Sequence, residues 1–308
     1  MVSAGLGAVL LGACALGGAP SEDGGDDAGH ELSRPAPAEP EDAAGHDPDG
    51  RDEPEADEHP DDDAEQPPGE DERTVAARPD WLGTRELPRR DDGFGQAQQT
   101  PDELVDRRLP PPEHLPPPTT DDFEAEVTQV PDEVLQRSTW TSACPVGRAE
   151  LRYVTVTFWG FDERAHTGEL LVHHSAADDL VGVFETLYEA RFPIEEMRIV
   201  TADELDAPPT GDGNNTTAFV CRPGVGGATW SEHAFGLAVD INPFHNPYVR
   251  GDLVLPELAG AYLDRDGDRP GIIQPGDVVT ESFARIGWGW GGTWRSSTDW
   301  MHFSASGR

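Results

Sequence analysis

Lysine is absent from this chain of 308 residues: all 22 basic residues are arginine, set against 60 Asp and Glu for a net charge of -38. So acidic a chain is excluded as a nucleic-acid binder, because attachment to phosphates is driven by Lys and Arg neutralisation and counterion release. The preference for Arg over Lys carries no functional information, since the two differ chemically only at bidentate or stacked sites. Long apolar runs are also missing. The stretch Ala4 to Ala13 has the length of a signal-peptide core and is too short to cross a bilayer as a mature helix. Cysteine is scarce, with only Cys14, Cys144 and Cys221, and an odd number in a secreted chain requires an account of the leftover thiol.

That account lies at the N-terminus. Residues 1–20 read as a signal region ending in Leu11-Gly12-Ala13-Cys14, which resembles the bacterial lipobox, where the Cys is lipidated and becomes the new first residue. The expected location is therefore extracytoplasmic, lipid-anchored to the outer face of the cell membrane or secreted. With Cys14 lipidated, Cys144 and Cys221 remain as a pair in an oxidising compartment. A bridge between them would close a loop of roughly 78 residues, worth about 4 to 5 kcal/mol in the chain-entropy model. Two unpaired buried thiols are the other reading.

Charge divides the chain. Residues 1–139 hold 36 Asp and Glu and 10 Arg, so most of the acidic excess lies in the first half. From residue 21 to about 118 the text is Asp, Glu, Pro, Gly and Ala with few aromatic or branched residues, and such a segment cannot bury enough apolar surface to offset its ordering entropy. Residues 21–135 are expected to be an acidic, Pro-rich disordered linker, serving as a tether or as a solvating tail. Two apolar patches, Trp81-Leu82 and Phe123 to Leu135, interrupt it and could form a helical lead-in.

After Ser138 the character changes. Leu151 to Phe158 is rich in branched and aromatic residues and reads as a strand, and Glu169 to His173 as its partner. Leu180, Val183, Phe184, Leu187 and Tyr188 recur on one face of a helix from Ala177 that Pro193 ends. Arg198 to Thr201 and Leu237 to Asn242 read as further strands, and Val279 to Ile286 as a second helix. The irregular mixture predicts an α+β domain over 136–308, a small antiparallel sheet with flanking helices and a functional site in a cleft.

The chemistry is concentrated in Ser231-Glu232-His233-Ala234-Phe235-Gly236-Leu237-Ala238-Val239-Asp240 and in Asp299-Trp300-Met301-His302. Strand alternation from Leu237 puts Leu237, Val239 and Ile241 on the core face and Asp240 on the other. His233 precedes that strand on a turn relaxed by Gly236, and His302 lies in a short strand whose neighbours Met301 and Phe303 point the opposite way. Two His and one Asp with an open fourth position suit a catalytic Zn²⁺. Asp299, three residues before His302, is placed as the general base for the attacking water. Arg222, fixed beside the same cleft by the neighbouring Cys221, can bind a substrate carboxylate or an oxyanion. The run Trp288 to Trp294 either lines the cleft or packs. His173, His174 and His245 are read as surface or capping residues, and Asp264 to Asp268 as a turn, since its Gly and distal Glu are misplaced for a calcium loop.

From Cys144 to Phe303 the chain resembles the M15 family of zinc peptidases, the group of D-alanyl-D-alanine carboxypeptidases and L-alanyl-D-glutamate endopeptidases, in its actinobacterial branch. The Ser-x-His-x-x-x-Gly-x-x-x-Asp and Asp-x-x-His patterns carry the likeness. It implies His233, Asp240 and His302 as zinc ligands, Asp299 as base where many relatives have Glu, Arg222 as contact to substrate or oxyanion, and Ser231 as a substrate contact. The implied activity is hydrolysis of peptidoglycan stem peptides by a monomer, carboxypeptidase-like or, alternatively, as an endopeptidase. A non-catalytic wall-binding module that keeps zinc for folding is the rival from another class.

Overall fold

In the computed structural model, residues 77–308 are described, apart from 225, 226, 228 and 268. The signal region, Cys14 and the acidic stretch up to residue 76 lie outside the described residues.

The branched and aromatic run forms the backbone of the larger sheet. Strands β1 (Ala125–Gln129), β2 (Leu151–Trp159) and β3 (Ala165–His173) pair antiparallel in that order, with Leu151 opposite His173 and Trp159 opposite Ala165. Each side chain of β2 faces one of two layers. Val154, Val156 and Phe158 join the main core, whereas Leu151 packs with Val130, Val134, Ile199 and Phe219 on the reverse face. Between β1 and β2 lies the short helix α1 (Asp132–Arg137).

Helix α2 (Ala177–Glu189) buries the stripe expected of it, Leu180, Val183, Phe184 and Leu187, each worth about 1.5 to 3 kcal/mol when taken out of water. Helix α3 (Val278–Arg285) packs into the same core through Val279 and Phe283, and the Asp277 side chain caps it by accepting from the Thr280 N–H at 2.8 Å. Two-residue strands β4 (Glu196–Met197) and β5 (Asn215–Thr216) pair in parallel. A second antiparallel sheet has β11 (His302–Ser304) at its centre, flanked by β6 (Ala238–Asp240) and β9 (Gly289–Trp290). A third joins β10 (Thr298–Asp299), β7 (Tyr248–Arg250) and β8 (Leu253–Leu255). The α+β class with small antiparallel sheets is as read from the sequence.

Two expectations are corrected. No strand runs from Arg198 to Thr201. The Glu204 carboxylate accepts the Thr201 N–H at 2.8 Å and starts a 3₁₀ turn at Ala202, which draws the chain out of extended pairing, so the strand stops at Met197. The larger correction concerns the linker, expected to reach residue 135. Its portion from 77 onward is part of the fold: Leu87, Leu104 and Leu109 are buried against Phe244, Leu258, Tyr262 and Ile272, and β1 extends the main sheet. Phe123 to Leu135 contains β1 and the start of α1 instead of a continuous helix. Residues 77–110 are held by polar contacts as well as by that apolar packing. The Arg107 guanidinium, only 2% exposed as a residue, donates to both Glu195 carboxylate oxygens at 2.7 Å and to the Asp212 carbonyl at 2.7 Å, over the Phe244 ring.

Candidate metal centre

The turn that carries His233 is built by three neighbouring choices. Ser231 caps it, its hydroxyl accepting the His233 N–H at 3.3 Å, and Glu232–Phe235 form one 3₁₀ turn. Gly236 ends it at φ +69, a left-handed conformation that glycine adopts without penalty. There the chain comes so close to the end of β3 that a Cβ on Gly236 would lie 2.6 Å from the His173 nitrogen, whose N–H donates to the Gly236 carbonyl at 2.9 Å. Gly236→Ala is therefore expected to lower stability by at least about 2 kcal/mol, from left-handed strain plus displacement of β3. Thermal unfolding measures it, and an unchanged melting temperature would contradict the assignment.

From Gly236 the chain enters β6, where Val239 and the following Ile241 are fully buried and Asp240 faces the other way. Across the ladder, His302 of β11 stands directly opposite Asp240. The three side chains converge. His302 Nδ1 and His233 Nε2 lie 3.0 and 3.2 Å from Asp240 Oδ1, and 3.2 Å from each other. Among the described residues this is the one His, Cys, Asp and Glu group whose donor atoms are close enough to hold a metal ion. Each imidazole has its outward nitrogen engaged by the backbone. His233 Nδ1 donates to the Ala218 carbonyl at 2.5 Å, and His302 Nε2 lies 3.3 Å from the Arg308 carbonyl. Those carbonyls fix both tautomers and leave two lone pairs and a carboxylate oxygen aimed at one point.

The donor set fits zinc. Tetrahedral Zn²⁺ with ligands at about 2.0 to 2.1 Å requires donors roughly 3.3 Å apart, close to the separations above, and the His₂Asp set is of the type that leaves a fourth position open. Burial alone would raise the Asp240 carboxyl, but the facing His233 and His302 hold it well below the usual carboxylate range.

A cavity of about 500 Å³ adjoins these donors, and Arg222, Ser231 and Asp299 also line it. Asp299 sits on β10, and a Cβ on Gly291 would meet its carbonyl oxygen at 2.7 Å, so glycine is what allows the 3₁₀ turn at Gly291–Thr293 to lie against β10. The Asp299 Oδ1 atom is buried with no hydrogen-bond partner. Burial and the Asp240 carboxylate together push its acid up to about 7. Arg222 is held from two sides: Cys221 is bonded to Cys144, 77 residues away, and the Arg222 carbonyl accepts the Ser231 N–H at 3.2 Å.

The structure thus gathers six residues singled out in the sequence, His233, Asp240, His302, Asp299, Arg222 and Ser231, at one cavity. Cys144 and Cys221 are joined. Of the tryptophan run, Trp288 packs on Phe283 and Trp290 stacks on Phe303, while Trp294 lies beside His302 and lines the cavity. His173 contacts Ser175 and His174 is exposed, whereas His245, expected as a surface or capping residue, is instead fully buried because Asn214 and the Arg107 carbonyl satisfy both of its ring nitrogens; none of the three reaches the candidate metal donors. Asp264 accepts the Asp266 N–H at 3.0 Å, forming the expected turn. Sequence reading missed Tyr248 and Trp230, which also line the cavity. Tyr248 arrives by pairing with Asp299 across β7 and β10, a contact with no local signal.

Donors and cavity together outline a candidate metal site with the buried carboxylate of Asp299 at its side. Residues 225–305 match an M15 peptidase family model described as D-alanyl-D-alanine carboxypeptidase. The match includes His233, Asp240, Asp299 and His302. No curated protein and no solved structure gives a significant match.

Proposed function

We propose that the chain is a zinc-dependent peptidase of peptidoglycan stem peptides, of D-alanyl-D-alanine carboxypeptidase type, working outside the cell membrane from a lipid anchor at Cys14. The observation that carries the reading is the triangle of two imidazole nitrogens and one carboxylate oxygen at 3.0 to 3.2 Å with both imidazole backs tied to carbonyls. Zn²⁺ bound there would supply Lewis acidity at the face that opens on the cavity.

The chain's own residues supply the rest. Asp299, unpartnered and beside that face, takes the proton of the attacking water and passes it to the departing amine. Arg222, at the cavity wall, binds the free carboxylate of the substrate through its planar fork of donors. Ser231 holds the His233 turn by its cap, and the same hydroxyl borders the substrate space. A zinc module for wall binding alone would have no use for a buried, unpartnered carboxylate next to its metal, which favours catalysis.

The test uses the purified chain reconstituted with zinc and then given chemically defined muropeptides. About one equivalent of zinc should be retained, and mass spectrometry should find loss of the terminal D-alanine. Cleavage between L-alanine and D-glutamate would reassign the bond to an endopeptidase. Zinc retention without any cleavage would make the chain a binding module.

A further inference from the structure

A cavity of about 770 Å³ shares no lining residue with the metal-site cavity. Its floor is aromatic. Trp159, at the end of β2, and Tyr188, near the end of α2, stand edge to face at 6.0 Å, and Phe123 lies 5.9 Å from Tyr188. All three are half-buried, leaving ring surface open. The rim is charged and predominantly acidic: carboxylates of Asp121, Asp122, Glu163, Glu185 and Glu189 face the guanidinia of Arg164 and Arg191, all on exposed residues. Glu163 and Arg191 hold left-handed backbone, at φ 58 and 53, on the two turns that flank the floor. A smaller hollow of about 290 Å³ continues the groove past Trp159.

The chemistry of this groove selects among ligands. A phosphate-rich polymer meets carboxylates. A cationic peptide meets Arg164, and the Trp159 face is already occupied by the Arg191 guanidinium at 4.8 Å. An apolar segment would desolvate the rim charges without pairing them. A neutral, polyhydroxylated ring satisfies all three features. Its C–H faces lie on the open ring surface of Tyr188 and Phe123, and its hydroxyls, each both donor and acceptor, bridge the rim carboxylates and Arg164.

We infer that this groove is a saccharide-binding site, distinct from the metal centre, that holds the glycan portion of the polymer whose peptides the metal centre cuts. The choice of wall glycan rests on the proposed function, whereas the saccharide class rests on the groove alone. Its position suits a polymeric ligand. Ala165, at one end of β3, lines the groove, and His173, at the other, bonds the turn carrying His233. Nine residues of strand place the two on the order of 25 Å apart. A ligand engaged at both gains effective concentration for the second contact.

The experiment is calorimetric titration of the full chain with a tetramer of β-linked N-acetylglucosamine, which has no peptide. Binding is expected with a Kd at or below about 1 mM, and it should persist in about 0.5 M salt because the ligand is neutral. Tyr188→Ala and, as a surface change that leaves the fold alone, Glu189→Gln should each weaken it by roughly tenfold or more. Both should cut a short soluble stem peptide at the wild-type rate. Absence of tetramer binding overturns the proposal, as does binding that both variants retain. Salt-sensitive binding of tetra-arginine lost in the two variants would replace the saccharide by a cation. Tetramer binding is read without hydrolysis, so an inactive chain that binds at the groove refutes the peptidase reading alone.

Discussion

Asp299→Asn is expected to lower hydrolysis of the stem peptide by roughly 10²-fold or more while zinc content stays at the wild-type level. The amide keeps the carboxylate's shape and removes its basicity. Its neighbour on the ladder is Tyr248, and its Oδ1 has no hydrogen-bond partner to lose. The metal donors His233, Asp240 and His302 are untouched, so retention of the ion should be unaffected. His302→Ala provides the contrast, because it removes one of three donors and should lose zinc and activity together. Metal analysis and peptide release measured on both variants separate the two roles. Loss of zinc from Asp299→Asn would make Asp299 a ligand, and near-normal hydrolysis would place the base elsewhere in the cavity.

The second large effect concerns stability. Arg107→Met should cost about 3 to 5 kcal/mol, because it leaves the Glu195 carboxylate buried without its bidentate partner. Burial alone would raise the Glu195 carboxyl, but Arg107 facing it holds it low, so the native state carries this group as an anion. In a chain of this size the loss should appear as a fall of roughly 10 °C in melting temperature. Adding Glu195→Leu to that variant should recover part of the loss, since an apolar pair tolerates burial better than a carboxylate left with only Asn214 and the partly exposed Arg78 as partners. An unchanged melting temperature for the single variant would mean that residues 77–110 are not held to the body in this way.

The same network makes stability fall in acid. Burial keeps His245 neutral down to about 4, whereas in the unfolded chain an imidazole takes up its proton near 6.5. Between those values the unfolded state binds the extra proton, so stability decreases as pH is lowered from about 6.5 toward 4. Denaturant titrations across that range should show the decline.

Legibility followed period and locality. Asp240 and His302 could be read because a strand repeats every two residues, so apolar neighbours such as Val239 and Phe303 fix where the polar residue faces. Helix α2 was visible for the equivalent reason at period 3.6. Residues 77–110 hide their role because Leu87, Leu104 and Leu109 stand singly among prolines and charges, and what buries them arrives from Phe244, Leu258 and Tyr262. Arg107 in the sequence looks like any solvated arginine. Glu195, 88 residues away, together with the Asp212 carbonyl and the Phe244 ring, makes it a core residue. The groove floor was invisible likewise, since Phe123, Trp159 and Tyr188 come from three separate elements.

Asp240 and His302 are cross-strand partners separated by 62 residues, and His233 joins them only through the turn docked on β3. No piece of chain shorter than the span from His233 to His302 contains the full donor set. A growing polypeptide therefore has nothing with which to retain a metal until the last of these strands has been made and has zipped into the sheet. If the chain is exported unfolded, metal uptake follows translocation, and a His₂Asp site would then draw its ion from the outer compartment and not from the pool in which the chain was synthesised.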